Sequence, residues 1–494
     1  MKKALSLTLA CLITASATIV GGCKKSSYTV PEFKENKNYI NFTAYSGPTV
    51  ENWSGTTHNP NTVTEEHYRE LAEAGFTKVL ALLEGASSAG GADVYERIEN
   101  RSKKAQSDAL LCLEQAAKFG IKYYVRDWAF YGLVTNYTSD GITEYEQYEK
   151  IIAKMFDENN EYIKHPNYGG NFAHDEPNKQ QLEKIAWQCE LYNKYIAKNG
   201  QYGGSPIVNL NPCYVGGKGL SLDNDMSYAQ YVDYYFEKVA PYTGYVCWDY
   251  YPFVNEQYDG SFFREMYLYN YEIMALKCKE TGYELHNFIQ SVGDWTGMRK
   301  MSCVGDFRLQ IATSMAFGTR EMIYYMYCNG GNAKTDDTFA LLDYNTGELN
   351  WTYYAAKQAN NEAKMIEDAY AAFAWDGVMY NNADELYDNQ NFANLTKPME
   401  SHPRIKNISS TEDTLVGVFK GKENDVAAGM DAFMIINFVD PYFDKNDEVT
   451  VTFNDAKALL TYRLGKKEII ELGKDGKYTF KLYPGEGRFV IPLK

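Results

Sequence analysis

The sequence predicts an α/β chain: a (β/α)8 TIM barrel over residues 38–374, followed by an antiparallel β-sandwich domain over 375–494. Two observations carry this. Apolar runs of strand length alternate with amphipathic helical stretches eight times, which implies a parallel sheet covered by helices, at the count and size of a closed barrel. Beyond residue 375 the helical period stops, and short alternating runs separated by turn signals such as Asp475-Gly476 take over.

Taken in order, Met1-Lys2-Lys3 and the apolar run 4–20 form a secretory signal over residues 1–22. Its end, Val20-Gly21-Gly22-Cys23, resembles the lipobox of bacterial lipoproteins. The resemblance implies a lipid on Cys23 and an exported protein anchored to the cell membrane or outer membrane, facing outward. Residues 23–37 are polar and patternless, as a tether would be. Strands are expected at 39–45, 78–83, 122–128, 170–174, 206–210, 244–248, 284–289 and 321–327. Helices are expected at 65–74, 103–119, 144–163, 179–197, 228–239, 262–280, 306–317 and 353–373. Gly75, Gly120, Gly282 and Gly318 each stand between a helix and the next strand, where a left-handed cap is needed. In the second domain the runs are 414–420, 431–438, 448–453, 458–463, 468–471, 478–482 and 488–492, with a polar wrap at 376–403.

Composition excludes several functions. A formal net charge of −16 argues against nucleic acid as a partner. No later apolar run can span a bilayer, so membrane contact is through the lipid alone. The remaining cysteines are scattered without metal spacing, no Gly-x-Ser-x-Gly elbow or phosphate-cradling loop occurs, and neither a metal nor a cofactor is implied. Asp444 to Glu448 lacks the glycine of a calcium loop and reads as a turn.

A barrel gathers its strand ends at one mouth. Those ends carry Tyr45, Glu84, Arg126, Asp127, Trp128, Asp175, Glu176, Asn209, Asn211, Asp249, Tyr251, Gln290 and Tyr327. Carboxylates, amides and aromatics together suit a sugar, whose hydroxyls need polar partners and whose C–H face needs a ring. Cleaving a glycosidic bond takes a protonated carboxylic acid and a second carboxylate. Glu176 is the candidate acid, with Asp175 and Asp249 as the other catalytic candidates. Arg126, Trp128, Asn209, Asn211, Tyr251, Gln290, Glu84 and Tyr327 are the candidate substrate contacts. The plain alternative for Asp175-Glu176-Pro177 is a helix cap with proline at the first position. His174 alternates away from Asp175 and reads as a packing residue.

Several stretches resemble the retaining TIM-barrel glycoside hydrolases of the β-galactosidase-like neighbourhood. They are Asp175-Glu176-Pro177, Asn209-Leu210-Asn211-Pro212, the run from Trp248 to Phe253, the run from Asn287 to Gly293, and Met315-Ala316-Phe317-Gly318. By resemblance Glu176 is the acid/base, and Asp175 replaces the asparagine usual before it. Gln290 falls where that clan carries its nucleophilic glutamate. Three routes stay open. The second carboxylate comes from Asp249, Glu84 or Asp294; the reaction inverts; or the substrate's own 2-acetamido group attacks, with Asp175 orienting it as in substrate-assisted N-acetylhexosaminidases. The expected substrate is a neutral or N-acetylated glycan, and a surface glycan-binding lipoprotein without turnover is the alternative.

Overall fold

The computed structural model describes residues 28–51, 61–88, 90–255, 264–293, 297–329, 340–383 and 390–494. The signal sequence, Cys23 and Asp294 lie outside the described residues. The strands β1 (Asn41–Tyr45), β2 (Lys78–Leu80), β3 (Lys122–Val125), β4 (Tyr168–Asp175), β5 (Ser205–Leu210), β6 (Tyr245–Trp248), β7 (Glu284–Gln290) and β8 (Glu321–Tyr325) form a closed parallel barrel. The ring closes where Asn41 to Ala44 pair with Glu321 to Tyr324.

Period-two alternation sorts the side chains into two layers. Tyr45, Leu80, Tyr124, Phe172, Ile207, Tyr245, Cys247, Phe288 and Ile323 fill the barrel. Their neighbours Ala44, Val79, Tyr123, Ala173, Val208, Val246, Ile289 and Tyr324 pack outward against the helices. The covering helices, in chain order, are α1 (Glu65–Glu73), α2 (Val94–Lys118), α3 (Trp128–Tyr131), α4 (Tyr145–Met155), α5 (Lys179–Asn199), α6 (Tyr228–Lys238), α7 (Ala240–Thr243), α8 (Tyr267–Thr281), α9 (Val304–Ala316), α10 (Trp351–Lys364) and α11 (Glu367–Ala371). Helix α2 starts well before the expected residue 103, because Asp93 caps it by accepting from Glu96 N.

The second part comprises β9 (Phe373–Asn381), β10 (Ile405–Ser409), β11 (Thr414–Gly421), β12 (Asp431–Asn437), β13 (Asp447–Phe453), β14 (Ala458–Arg463), β15 (Lys466–Glu471), β16 (Lys477–Leu482) and β17 (Gly487–Leu493). Six strands in the order β15-β14-β17-β12-β11-β9 face a three-stranded sheet β10-β13-β16. Val416, Val418, Phe433, Ile435, Val449, Val451 and Phe480 fill the space between the sheets. Leu415, Phe419, Met434, Ile436 and Phe489 point the other way, into the same core as the barrel helices. A Cβ on Gly417 would lie 2.6 Å from Ala316 Cα, so only glycine lets β11 approach α9 this closely. Strand β9 lies where the sequence reading ran a helix into a polar wrap. Its Phe373, Val378 and Met379 bury, while Ala374 and Tyr380 face out. Residues 28–37, expected to hang as a tether, lie against the body. Phe33 packs on Phe373 with ring centroids 6.3 Å apart, Asn36 N donates to Asp368 at 2.7 Å, and Tyr28 OH donates to Glu471 at 3.5 Å.

Candidate active site

The mouth is organised around the end of β4. A bulge there pairs Phe172 with Ile207, His174 with Val208 and Asp175 with Asn209, so one extra residue re-aims the strand end. Asp175 thereby comes level with Asn209, whose amide donates to Asp175 Oδ1 at 3.0 Å. The next residue, Glu176, takes a left-handed backbone with φ of 49°. That conformation is strained for a residue with a Cβ and needs external support. Support comes from both sides: Glu176 N donates to Asn209 O at 2.9 Å, and Asn211 Nδ2 donates to Glu176 O at 3.0 Å and Pro177 O at 3.1 Å. Helix α5 is capped without either carboxylate. Asn178 accepts from Gln181 N at 3.0 Å, and Gln181 accepts from Asn178 N at 2.8 Å. Asp175 and Glu176 are therefore not the helix cap.

From β6, the phase that turns Cys247 inward also turns Asp249 inward, where it is buried. Glu176 and Asp249 lie close enough for each carboxyl to act on the protonation of the other. Burial, then the charge of Asp175, pushes Glu176 up to about 7 from its ordinary 4.5. Asp249 is pushed well above the carboxylate range by burial and by both acidic neighbours, and its Oδ1 meets no N–H or hydroxyl donor. Asp175 is also raised by burial, against the opposing pull of Arg126 and Asn209. Three carboxyls thus share one buried site, where desolvation and like-charge repulsion both disfavour three simultaneous charges. The side chain of Asp249 is enclosed, whereas Glu176 is exposed at the rim.

Arg126, next inward after Tyr124 on the β3 side, donates to Tyr45 OH at 2.7 Å. Its guanidinium lies 4.2 Å from the Tyr131 ring centroid and 4.9 Å from that of Phe172. Trp128 stacks on Tyr131 at 5.3 Å and 16°, and Tyr131 stacks on His174 at 5.4 Å and 24°. Burial and Arg126 lower His174 to about 4, so it is neutral. Tyr251 is buried inside the barrel against Tyr325, with centroids 5.0 Å apart.

Four expected substrate contacts are placed elsewhere. Asn211 spends its amide on backbone carbonyls and braces Glu176. Gln290 donates to Phe253 O, Val292 O and Arg299 O at 3.2, 3.2 and 2.9 Å and accepts from Phe253 N at 3.0 Å, so its amide staples the β6 and β7 loops together. Glu84 lies on the helix side of the barrel, accepting from Tyr123 OH at 2.6 Å and Arg126 N at 2.8 Å. Tyr327 joins the outer core beside Phe76, because the alternation slips after Tyr325 and Met326 takes the inward place.

Sequence reasoning missed Tyr131, Tyr214 and Arg264. Tyr214 is half exposed, feels the charges of Asp249 and Glu176, and carries Arg264 at 4.8 Å from its ring. Its only signal was a position just past Asn211-Pro212; Tyr131 sat inside a helix too short to announce itself. Among the described residues, no group of three or more His, Cys, Asp or Glu is placed to hold a metal ion.

The chain is thus a (β/α)8-barrel protein with a carboxyl cluster at the C-terminal ends of its strands. The solved structures it resembles are TIM-barrel glycoside hydrolases. They include a β-galactosidase from the psychrophilic Marinomonas ef1, at 11% identity and a TM-score of 0.44 over 67% of this chain and 60% of that one. A Bacteroidetes-affiliated GH5 cellulase linked with a polysaccharide utilization locus aligns at 14% identity and 0.43, over 67% and 94%. An endo-β-1,4-mannanase from Thermotoga petrophila aligns at 10% and 0.39, over 90% and 97%. This chain spans less than two thirds of the β-galactosidase. Likenesses this distant go no further than the barrel the strands already define. No family model matches the chain, and no curated protein matches it in sequence.

Proposed function

We propose that the chain is a glycoside hydrolase acting on oligo- or polysaccharides, with Glu176 as general acid and base and Asp249 as its carboxyl partner. The observation that carries this reading is the cluster of Glu176, Asp249 and Asp175 at the mouth, close enough to act on one another's protonation. An acid raised to about 7 keeps a proton to give to a leaving oxygen near neutral pH. Retaining pairs stand ~5–5.5 Å apart and inverting pairs ~6.5–9.5 Å, so the separation of Glu176 and Asp249 with a sugar bound would distinguish the two outcomes. Trp128, Tyr131 and Tyr214 would offer rings to a sugar face, with Asn209 and Arg126 behind them, bonded to Asp175 and Tyr45. Three carboxyls at the mouth, with Arg126 acting on Asp175, favour a neutral or N-acetylated sugar.

One observation favours a second reading, glycan binding without turnover: Gln290 stands where the resembling clan has its nucleophile, and its amide is fully engaged. The N-terminal sequence supports export and lipid anchoring at Cys23 in either case. Glu176→Gln tests the hydrolase. It keeps the shape and removes the transferable proton, and should cost ~10²–10⁴-fold in rate on glycosides with poor leaving groups and much less on activated aryl glycosides. Full activity on every glycoside the native protein cleaves would place the acid elsewhere.

A further inference from the structure

The β-sandwich part presents three aromatic rings to solvent on neighbouring loops: Tyr442 at 54% exposed, Phe443 at 42% and Tyr483 at 48%. Large rings seldom gather on a surface without something to bind. The backbone of their loops is tied down by hydrogen bonds. Asp440 accepts from Tyr442 N at 3.0 Å, Glu486 accepts from Tyr483 N at 3.0 Å, and Asn437 Nδ2 donates to both Lys445 O at 2.8 Å and Tyr483 O at 3.2 Å. One asparagine thus ties the two loops together. Exposed Asp444, Asn446 and Lys481 border them with hydrogen-bonding groups.

A chain of buried contacts links the loop of Tyr442 to the end of β7. Gln290, at the end of β7, donates to Arg299 O at 2.9 Å; Arg299 pairs with Asp440, and Asp440 caps the loop of Tyr442. At the start of α9, also on the mouth side, Gly305 packs so closely against Pro441 and Pro484 that a Cβ would meet both within 2.9 Å. The chain enters at the opposite end of the sandwich, where Tyr28 reaches Glu471 beside the start of β14. A lipid at Cys23 would therefore hold that end toward a membrane, and the rings would look away from it.

We propose that Tyr442, Phe443 and Tyr483 form an accessory carbohydrate-binding face that holds a polysaccharide chain while another stretch of it occupies the mouth. The proposal rests on the carbohydrate reading of the mouth and adds that the substrate is polymeric. Rigid rings edged by polar groups match the alternating C–H faces and hydroxyls of a glycan.

The test uses the Glu176→Gln chain, so that binding is read without turnover, in affinity electrophoresis. The gels contain a soluble neutral β-glucan, a galactomannan, an arabinogalactan or a polymer of N-acetylhexosamine. At least one should retard the protein, and the added triple change Tyr442→Ala, Phe443→Ala, Tyr483→Ala should weaken retardation about tenfold or more with the melting temperature unchanged. In the otherwise native chain, the triple change should leave cleavage of a short aryl glycoside intact. No retardation by any polymer, or retardation indifferent to the triple change, overturns the proposal. So does a dimer in sedimentation, or binding to neutral phosphatidylcholine vesicles, that the triple change abolishes, since the face would then belong to a second copy or a lipid surface. Failure of the hydrolase reading shows separately, as full activity of Glu176→Gln.

Discussion

Asp175→Asn changes one charge and almost no shape, because asparagine retains the oxygen that accepts from Asn209 at 3.0 Å. Its effect on Glu176 follows from the causes of that residue's rise from 4.5 to about 7. Burial is the largest and stays. The Asp175 charge is second and goes. A like charge at the next residue contributes on the order of one pH unit to such a rise. Removing it makes Glu176 easier to deprotonate, so the protonated acid survives only to a lower pH. The alkaline limb of kcat/KM reports the acid of the free enzyme and should move down by about one pH unit. The assay is kcat/KM from about pH 5 to 9 on an unactivated oligosaccharide, whose leaving group needs the proton. Retained activity with an unmoved alkaline limb would refute the assignment of Glu176 as the titrating acid. Collapse at every pH would instead mark Asp175 as the residue orienting a substrate acetamido group.

Gln290→Glu should not restore a nucleophile. It would set a carboxylate against the carbonyls of Phe253, Val292 and Arg299, costing on the order of 3 kcal/mol by urea unfolding, and a fluorosugar should trap no glycosyl ester on it. Asn211→Ala frees the carbonyls behind Glu176 and should lower kcat about tenfold at little change in KM, with folding intact by circular dichroism. Equal losses in kcat/KM through KM alone would show that Asn211 binds substrate.

The barrel was legible because each strand is flanked by helices and must be apolar on both faces, a pattern that survives in sequence as near-continuous runs. The inward turn of Asp249 was legible for the same reason, since alternation from Cys247 fixes it. Alternation failed where the chain breaks it. The slip after Tyr325 moved Tyr327 outward, and the bulge in β4 set Asp175 against Asn209. Neither leaves a mark in residue type. The fates of Asn211 and Gln290 were illegible for another reason. An amide that binds sugar and an amide that binds a loop carbonyl are the same residue until the loops are placed. Residues 28–37 show a third limit: scattered apolar side chains such as Tyr28, Val30 and Phe33 bury without any periodicity.

The position of Gln290 bears directly on the chemistry. With the Gln290 amide committed to three loop carbonyls, the described residues at the end of β7 offer no acid to the mouth, and the described carboxyls there come from β4 and β6. Asn209 on β5 stands between them and donates to Asp175, not to the rim acid. The three carboxyls are not equivalent. Burial raises all three, Arg126 opposes that rise at Asp175, and the charges of both acidic neighbours add to it at Asp249. Opposed environments of this kind are how like groups acquire different roles in one site. A sugar seated against Glu176 and Asp249 would change the desolvation of both, so binding itself would decide which of the two acts as acid and which as base.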